Sequence, residues 1–443
     1  MKRRTQLILI ALVIMAIMIA GCSSNNEANA VNQSGNNNKG GTQVDEKVDE
    51  KGQTEKVKLT IGSWRTEDTE AYNKIIAEFT KSNPNIEIEF KPTKNTEYNT
   101  VLNTALQTGG GPDIIHLRPY AAGRQLADAG FLEPIDGIKG LDIFAKETLI
   151  AATGSDGKVY GVPTVFSSTQ IFYNKKLFQQ HGIQVPKTWD ELLKAADTLK
   201  GNNIVPFAFG SKEGWLLSLT HGMVGPSHYG GTDFVNKATS GETNFASKEF
   251  IASLQALKDL TPYFPDNYIG LGMDDIRNLF VTEQAGMFVM GDWELAVMQK
   301  TNPDLDIDLF PVPPATADGE ASVTAWVDGS FAVNAKSANK EAALKFLEYM
   351  TTKEFGTLVV NELKKPSTIA GVTANDPLVA KISEYANSIS TPYMFVVHFN
   401  SGNPTSKATL ETSLQGMYLN ELTPEQVSDA VQKSVDSWFK PAQ

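Results

Sequence analysis

Residues 57 to 117 alternate between two apolar periods, and that order constrains the fold more than any other feature of the chain. Val57, Leu59 and Ile61 alternate with polar neighbours, the spacing of a half-buried strand. Tyr72, Ile75, Ile76 and Phe79 then recur at helical spacing, ending before Pro84. Ile86, Ile88 and Phe90 alternate again, and Tyr98, Val101, Leu102, Ala105 and Leu106 mark a second helix. Gly109-Gly110-Gly111-Pro112 breaks it, and Asp113 to Leu117 reads as a third strand. A β-α-β-α-β order implies a parallel sheet covered by helices. Ligands of such sheets sit beyond the carboxyl ends of the strands. That rule nominates Trp64, Arg65 and Glu67 after the first strand, and Arg118 and Tyr120 after the third. Asp113 fits a strand-entry role instead.

From Val57 to Gln443 there are 387 residues, too many for one ordinary core, so two lobes are expected. The preceding segment is of another kind. Lys2, Arg3 and Arg4 lead into an apolar run from Leu7 to Ala20. Fourteen residues fall short of the roughly 20 needed to cross a bilayer, so residues 1–21 are expected to be a signal peptide. Ile19-Ala20-Gly21-Cys22 resembles a bacterial lipobox, which implies cleavage before Cys22 and lipid on its thiol; an uncleaved anchor with an incidental cysteine is the alternative. Cys22 is the only cysteine, which excludes an intrachain disulfide and a cysteine-based metal site. Residues 22–56 are so poor in apolar side chains that they read as a flexible linker. The formal charge is −12; without Lys2, Arg3 and Arg4 it is 36 basic against 51 acidic groups, or −15. Such a balance argues against nucleic acid or anionic lipid as ligand.

Gly161 to Leu199 reads as an extended run, a turn and a helix. Val162, Phe166, Ile171 and Phe172 favour β structure, and Pro163 forbids a helix at the entry. Thr188 and Glu191 have the spacing of a capping box, followed by a helix face of Trp189, Leu192, Leu193, Ala196 and Leu199. This stretch is expected to carry the chain from one lobe into the other. Its fragments GVP, YNKKLF, GI and PKTWDELL, in that order, resemble the extracellular solute-binding proteins (family 1) of bacterial ABC importers, in the branch that binds sugars and oligosaccharides. GSFAVNAKSANKEAALKFLEYMTT, from Gly329 to Thr352, is a second match. The resemblance covers most of residues 57–443, though only loosely from Ser218 to Leu271.

The resemblance implies a two-lobe α/β fold of the periplasmic-binding-protein type II, each lobe a mainly parallel sheet flanked by helices, with a hinge between. Residues 57–163 and 324–372 would form lobe 1, and residues 164–323 and 373–443 lobe 2. It further implies ligand contacts at Trp64, Glu67, Arg118 and Tyr120; at Ser167, Ser168 and Gln170; at Trp215, Asp292 and Trp293; and at Trp326, Asp328 and Gly329. Ser167 and Ser168 stand where some relatives carry an acidic residue. The ligand is therefore left open among a disaccharide, a longer oligosaccharide and, if Arg118 faces it, a polyuronide fragment.

The chemistry supports a sugar. Trp64, Trp215 and Trp293 follow the predicted strands at Val57–Ile61, Val205–Phe209 and Ala285–Met290, and a pyranose offers a C–H face to an aromatic ring and hydroxyls to polar groups at its edge. Plainer readings compete: a lone tryptophan is often core, Glu67 and Asp292 could serve helix N-termini, and Arg118 could pair at the surface. Trp189 and Trp438 are read as structural. The five histidines, His116, His181, His221, His228 and His398, lack metal-ligand spacing, and Gly109–Gly111 reads as a turn rather than a phosphate cradle. The expectation is a monomeric, lipid-anchored binding protein on the extracytoplasmic membrane face that passes its sugar to permease subunits, with no cofactor, no metal and no catalysis. A surface-anchored glycoside hydrolase is the alternative, with Glu67 and Asp292 as its carboxylate pair. Trp215→Ala and Trp293→Ala are each expected to weaken sugar binding and leave the melting temperature nearly unchanged.

Overall fold

A computed structural model describes residues 56–441 except 317. The expected signal peptide, Cys22 and the linker as far as residue 55 lie outside the described residues. Eleven strands follow in order among the described residues: β1 (Val57–Ser63), β2 (Ile86–Pro92), β3 (Ile114–Leu117), β4 (Val162–Pro163), β5 (Phe166–Asn174), β6 (Val205–Phe207), β7 (Ala285–Gly291), β8 (Ile307–Phe310), β9 (Val323–Val327), β10 (Ser330–Val333) and β11 (Ser390–Pro392). They form two sheets, one ordered β2-β1-β3-β10-β4 and the other β11-β9-β5-β7-β6, with β8 also paired to β5.

In the first sheet β1 is parallel to β2 and β3, as its crossover helices Thr69–Ser82 and Asn95–Gln107 require. The sheets are nevertheless mixed rather than mainly parallel. β10 runs antiparallel to β3 and β4, and β5 runs antiparallel to β7, β8 and β9. The reason is the connectivity: β5 and β10 enter their sheets from the other lobe, not through a crossover helix on the same sheet. The expected return to the first lobe at residue 324 also falls later. β9 pairs with β5 and β11, so residues 324–327 stay in the second sheet and the chain crosses at Asp328-Gly329. A first crossing lies between Pro163 and Phe166; a third lies between Ile369, in the first core, and Val379, in the second.

Strand alternation builds the first lobe's two cores. On β10, Phe331 and Val333 pack with Tyr72, Ile75, Phe79 and Phe346, while Ala332 joins Tyr98, Leu102 and Leu106 on the opposite face. The second lobe has one large core around helix Gly214–Val224, which is buried from Leu216 to its end. That helix begins one residue before Trp215 and so sets Trp215 in its first turn. Helix Trp189–Gly201 is capped as expected at Thr188, whose Oγ1 accepts from Glu191 N at 3.2 Å. The Glu191 carboxylate, however, accepts from Lys187 N at 2.7 Å, one residue upstream of the cap. Among the described residues no helix is long and apolar enough to cross a membrane.

Candidate functional site

Between the lobes lies a cleft of about 690 Å³. The first lobe contributes the residues that follow β1, β2 and β3: Trp64, Arg65 and Glu67; Lys94, Asn95 and Asn99; and Arg118. The second contributes Glu213, Trp215, Arg277, Trp293, Glu294, Tyr393 and Glu411, and the crossing contributes Trp326 and Asp328. A smaller hollow of about 320 Å³ between helix Asn95–Gln107 and Gly111-Pro112 has no carboxylate in its lining.

The second lobe's wall is an aromatic row. Ring centroids run from Trp215 to Trp293 at 6.5 Å, to Trp326 at 6.0 Å and to Tyr393 at 5.1 Å, at steep mutual angles. Three of the four rings have a polar fastening. Trp215 Nε1 donates to Glu213 Oε2 at 2.8 Å, and Glu213 Oε1 accepts from Met273 N at 2.9 Å. Trp326 Nε1 donates to Asp328 Oδ1 at 2.8 Å. Tyr393 Oη donates to Ser218 Oγ at 2.9 Å, and Ser218 donates to Glu411 at 2.6 Å. Gly291 makes room for Trp293, since a Cβ there would come within 2.0 Å of the indole.

Trp64 is built differently. His116 stacks on it at 3.7 Å and 16°, and the Arg118 guanidinium lies 4.0 Å from its centroid. Two groups that close to one centroid must take opposite faces, so Trp64 offers the cleft an edge and not a platform. Gly329 fits behind this stack, where a Cβ would lie 2.7 Å from His116 Nε2 and 2.8 Å from the Trp64 ring.

Many of the charges lining the cleft are paired. Arg65 donates to Glu67 at 3.2 Å and to Asp328, and its guanidinium lies 5.0 Å from the Trp293 ring across the cleft. Arg277 grips Glu294 at 2.5 and 3.0 Å and Asp274 at 2.6 Å. Lys407 pairs with Glu411. Burial would raise the Glu67 carboxyl, but Arg65 and Lys365 outweigh it and hold Glu67 below the ordinary range. Burial dominates at Glu294 and raises it despite Arg277. Burial, with Arg65 and Lys365 nearby, keeps His116 neutral.

Several expected contacts lie off the cleft surface. Ser167, Ser168, Gln170 and Asp292 are fully buried under its floor, where β5 meets the end of β7, and Asp292 N donates to Ser168 O at 2.9 Å. Burial pushes the Asp292 carboxyl up to about 7, although Lys365 and Arg65 pull it down. The hydrolase pair fails for the same reason: Glu67 lines the cleft and Asp292 does not, so the two cannot flank a substrate. Tyr120, with φ 57°, is a bridge between lobes; its Oη accepts from Val327 N at 3.3 Å. Gly329 gives space and no contact. Trp64, Glu67, Arg118, Trp215, Trp293, Trp326 and Asp328 do come together.

Sequence reasoning missed Asn95, Asn99, Glu213, Arg277, Tyr393 and Glu411. The carboxyl-end rule, applied also after β2, would have found Asn95. Tyr393 follows β11, a three-residue strand too short to carry a period. Among the described residues no group of three or more His, Cys, Asp or Glu side chains could hold a metal ion.

Known proteins match both the sequence and the architecture. The chain is 28% identical over 334 residues to a multiple sugar-binding protein of Streptococcus mutans, covering 73% of this chain and 78% of that one. It is 24% identical over 304 residues to a galactooligosaccharide-binding protein of Bacillus subtilis, covering 65% and 67%. The solved structure of a chitin oligosaccharide binding protein superposes with a TM-score of 0.74 at 25% identity, covering 86% of this chain and 98% of that one. A raffinose-bound solute-binding protein shares the fold at a TM-score of 0.74 and 21% identity, covering 86% and 99%. These are binding proteins and not enzymes, as suits a cleft furnished with platforms and paired charges. With the family of bacterial extracellular solute-binding proteins matching residues 62–356, two-thirds of its length, the chain belongs to that family.

Proposed function

We propose that this protein captures a sugar or oligosaccharide between its lobes and delivers it unchanged to the permease subunits of an ABC importer. The observation that carries the reading is the row Trp215, Trp293, Trp326 and Tyr393, set beside the carboxylates Glu213, Glu411 and Glu67. Aromatic faces take the C–H surface of a pyranose, and the carboxylates accept from its hydroxyls. The sugar-binding relative from Streptococcus mutans supports the same class of ligand. A ligand touching both walls favours the arrangement in which they face each other, which is the only way binding can drive closure. Within this reading residues 1–21 are removed, lipidated Cys22 holds the protein on the extracytoplasmic face, and the protein works as a monomer.

A thermal-shift screen of the purified protein against oligosaccharides of defined length tests it. A ligand that binds only the folded form adds about 2.7 kcal/mol at a hundredfold excess over Kd. The expected result is a raised midpoint with the sugar recovered intact. If no saccharide moves the midpoint, the carbohydrate assignment falls.

A further inference from the structure

Arg118 stands apart from the paired cations of the cleft. Arg65, Arg277 and Lys407 each meet a carboxylate, whereas Arg118 meets only amide oxygens. Its Nε donates to Asn99 Oδ1 at 3.2 Å, and its Nη2 donates to Asn95 O at 3.3 Å and Asn95 Oδ1 at 2.6 Å. Its Nη1 has no hydrogen-bond partner among the described residues, and the side chain is half-buried where it lines the cleft. Burial, followed by the nearby charge of Arg65, pushes the Arg118 guanidinium down to about 9. Lys94, beside Asn95 on the same rim, is exposed and likewise meets no carboxylate. A partly desolvated cation without a paired carboxylate, such as Arg118, is unfavourable, and an arriving anion offsets that cost. The opposite wall is polarised the other way, because Glu213 there has no cationic partner.

We propose that the first-lobe end of the cleft recognises an anionic oxygen group on the bound saccharide, a uronate carboxylate or a sulfate ester, with Arg118 Nη1 as its main donor and Lys94 in support. The proposal rests on the carbohydrate reading above and sharpens it. The unpaired Glu213 on the far wall repels the same group, so an acidic oligosaccharide binds in one direction, acidic residue toward Arg118. The two N–H groups of Nη1 suit either anion, since both present two or more acceptor oxygens.

Calorimetric titration with matched saccharides decides it: digalacturonate against galactobiose, glucuronyl-substituted against plain xylotriose, and a sulfated against an unsulfated disaccharide. The acidic member of at least one pair is expected to bind about tenfold more tightly, the margin of a charge-assisted over a neutral hydrogen bond. Methyl esterification or added salt should erase the margin, and the pair that shows it names the anion. In Arg118→Gln the ratio of acidic to neutral affinity should fall toward one, and in Lys94→Gln it should fall less. Circular dichroism checks that both variants fold. Neutral members binding as tightly as acidic ones in the unaltered protein would overturn the proposal and leave the carbohydrate reading intact. Equal loss of both members in Arg118→Gln would reduce Arg118 to a clamp on Trp64. Binding by no member of any pair would sink proposal and reading together.

Discussion

Trp215 and Trp293 stand in one aromatic row yet bear on the fold differently. Trp215 is partly exposed at the first turn of its helix, whereas Trp293 is 6% exposed and packed over Gly291. Trp215→Ala should therefore weaken sugar binding and leave the melting temperature almost unmoved. Trp293→Ala should cost both, with about 3–5 kcal/mol of stability lost in a denaturant titration; the sequence expectation of an unchanged melting temperature does not survive its burial. Asp292 gives a pH prediction. Its folded pKa, about 7, lies above the roughly 3.9 of an unfolded aspartate. Between those values the folded form holds a proton that the unfolded form has released, so this group's contribution to stability falls as pH rises from about 4 to 7 and then levels. Asp292→Asn should remove that slope, at most about 1.4 kcal/mol per pH unit. Melting curves from pH 4.5 to 7.5 that stay parallel for the two proteins would rule it out. At this scale the sequence was informative about residue type and silent about depth: Asp292 and Trp293 are neighbours, and only one faces the cleft.

Among the elements, β1 and β2 were legible because their apolar residues alternate, and β3 because Gly109–Pro112 sets off a short apolar run. β5 is buried on nearly every residue, which leaves no alternation to read, and β6 and β11 have three residues each. Their pairing follows from the path of the chain between lobes, which local pattern does not encode. The link between β9 and β10 is the most sensitive connection. Gly329 has φ 154° and no room for a methyl group beside His116 and Trp64. Gly329→Ala should cost about 1–3 kcal/mol, as overpacking does, and should also weaken ligand binding by displacing the Trp64 edge. A urea midpoint equal to that of the unaltered protein would show the link to be tolerant. Thr188→Ala, which removes a helix cap far from the cleft, should cost about 1 kcal/mol and spare affinity.

Over the whole molecule, ion pairs tie the lobes together away from the ligand. Lys300 of helix Glu294–Thr301 meets Glu70 of helix Thr69–Ser82, and Asp376 accepts from Lys364 at 3.1 Å and from Gln299 at 2.8 Å. Lys300→Glu places two like charges together and should favour separated lobes, seen as a larger radius of gyration without ligand and a small fall in affinity. Added salt should narrow the difference between the two proteins, and an unchanged scattering profile would assign the pair no part in closure. The three crossings also bear on how the chain must fold. The first sheet awaits β10, at residues 330–333, and the second awaits β11, at residues 390–392. A chain made from its amino end thus has nearly nine-tenths of its length synthesised before both sheets have all their strands. Contacts so distant in sequence form slowly. The connectivity therefore favours a polypeptide that stays loose through synthesis and sets into shape late, as one that is threaded through a membrane before folding has to do.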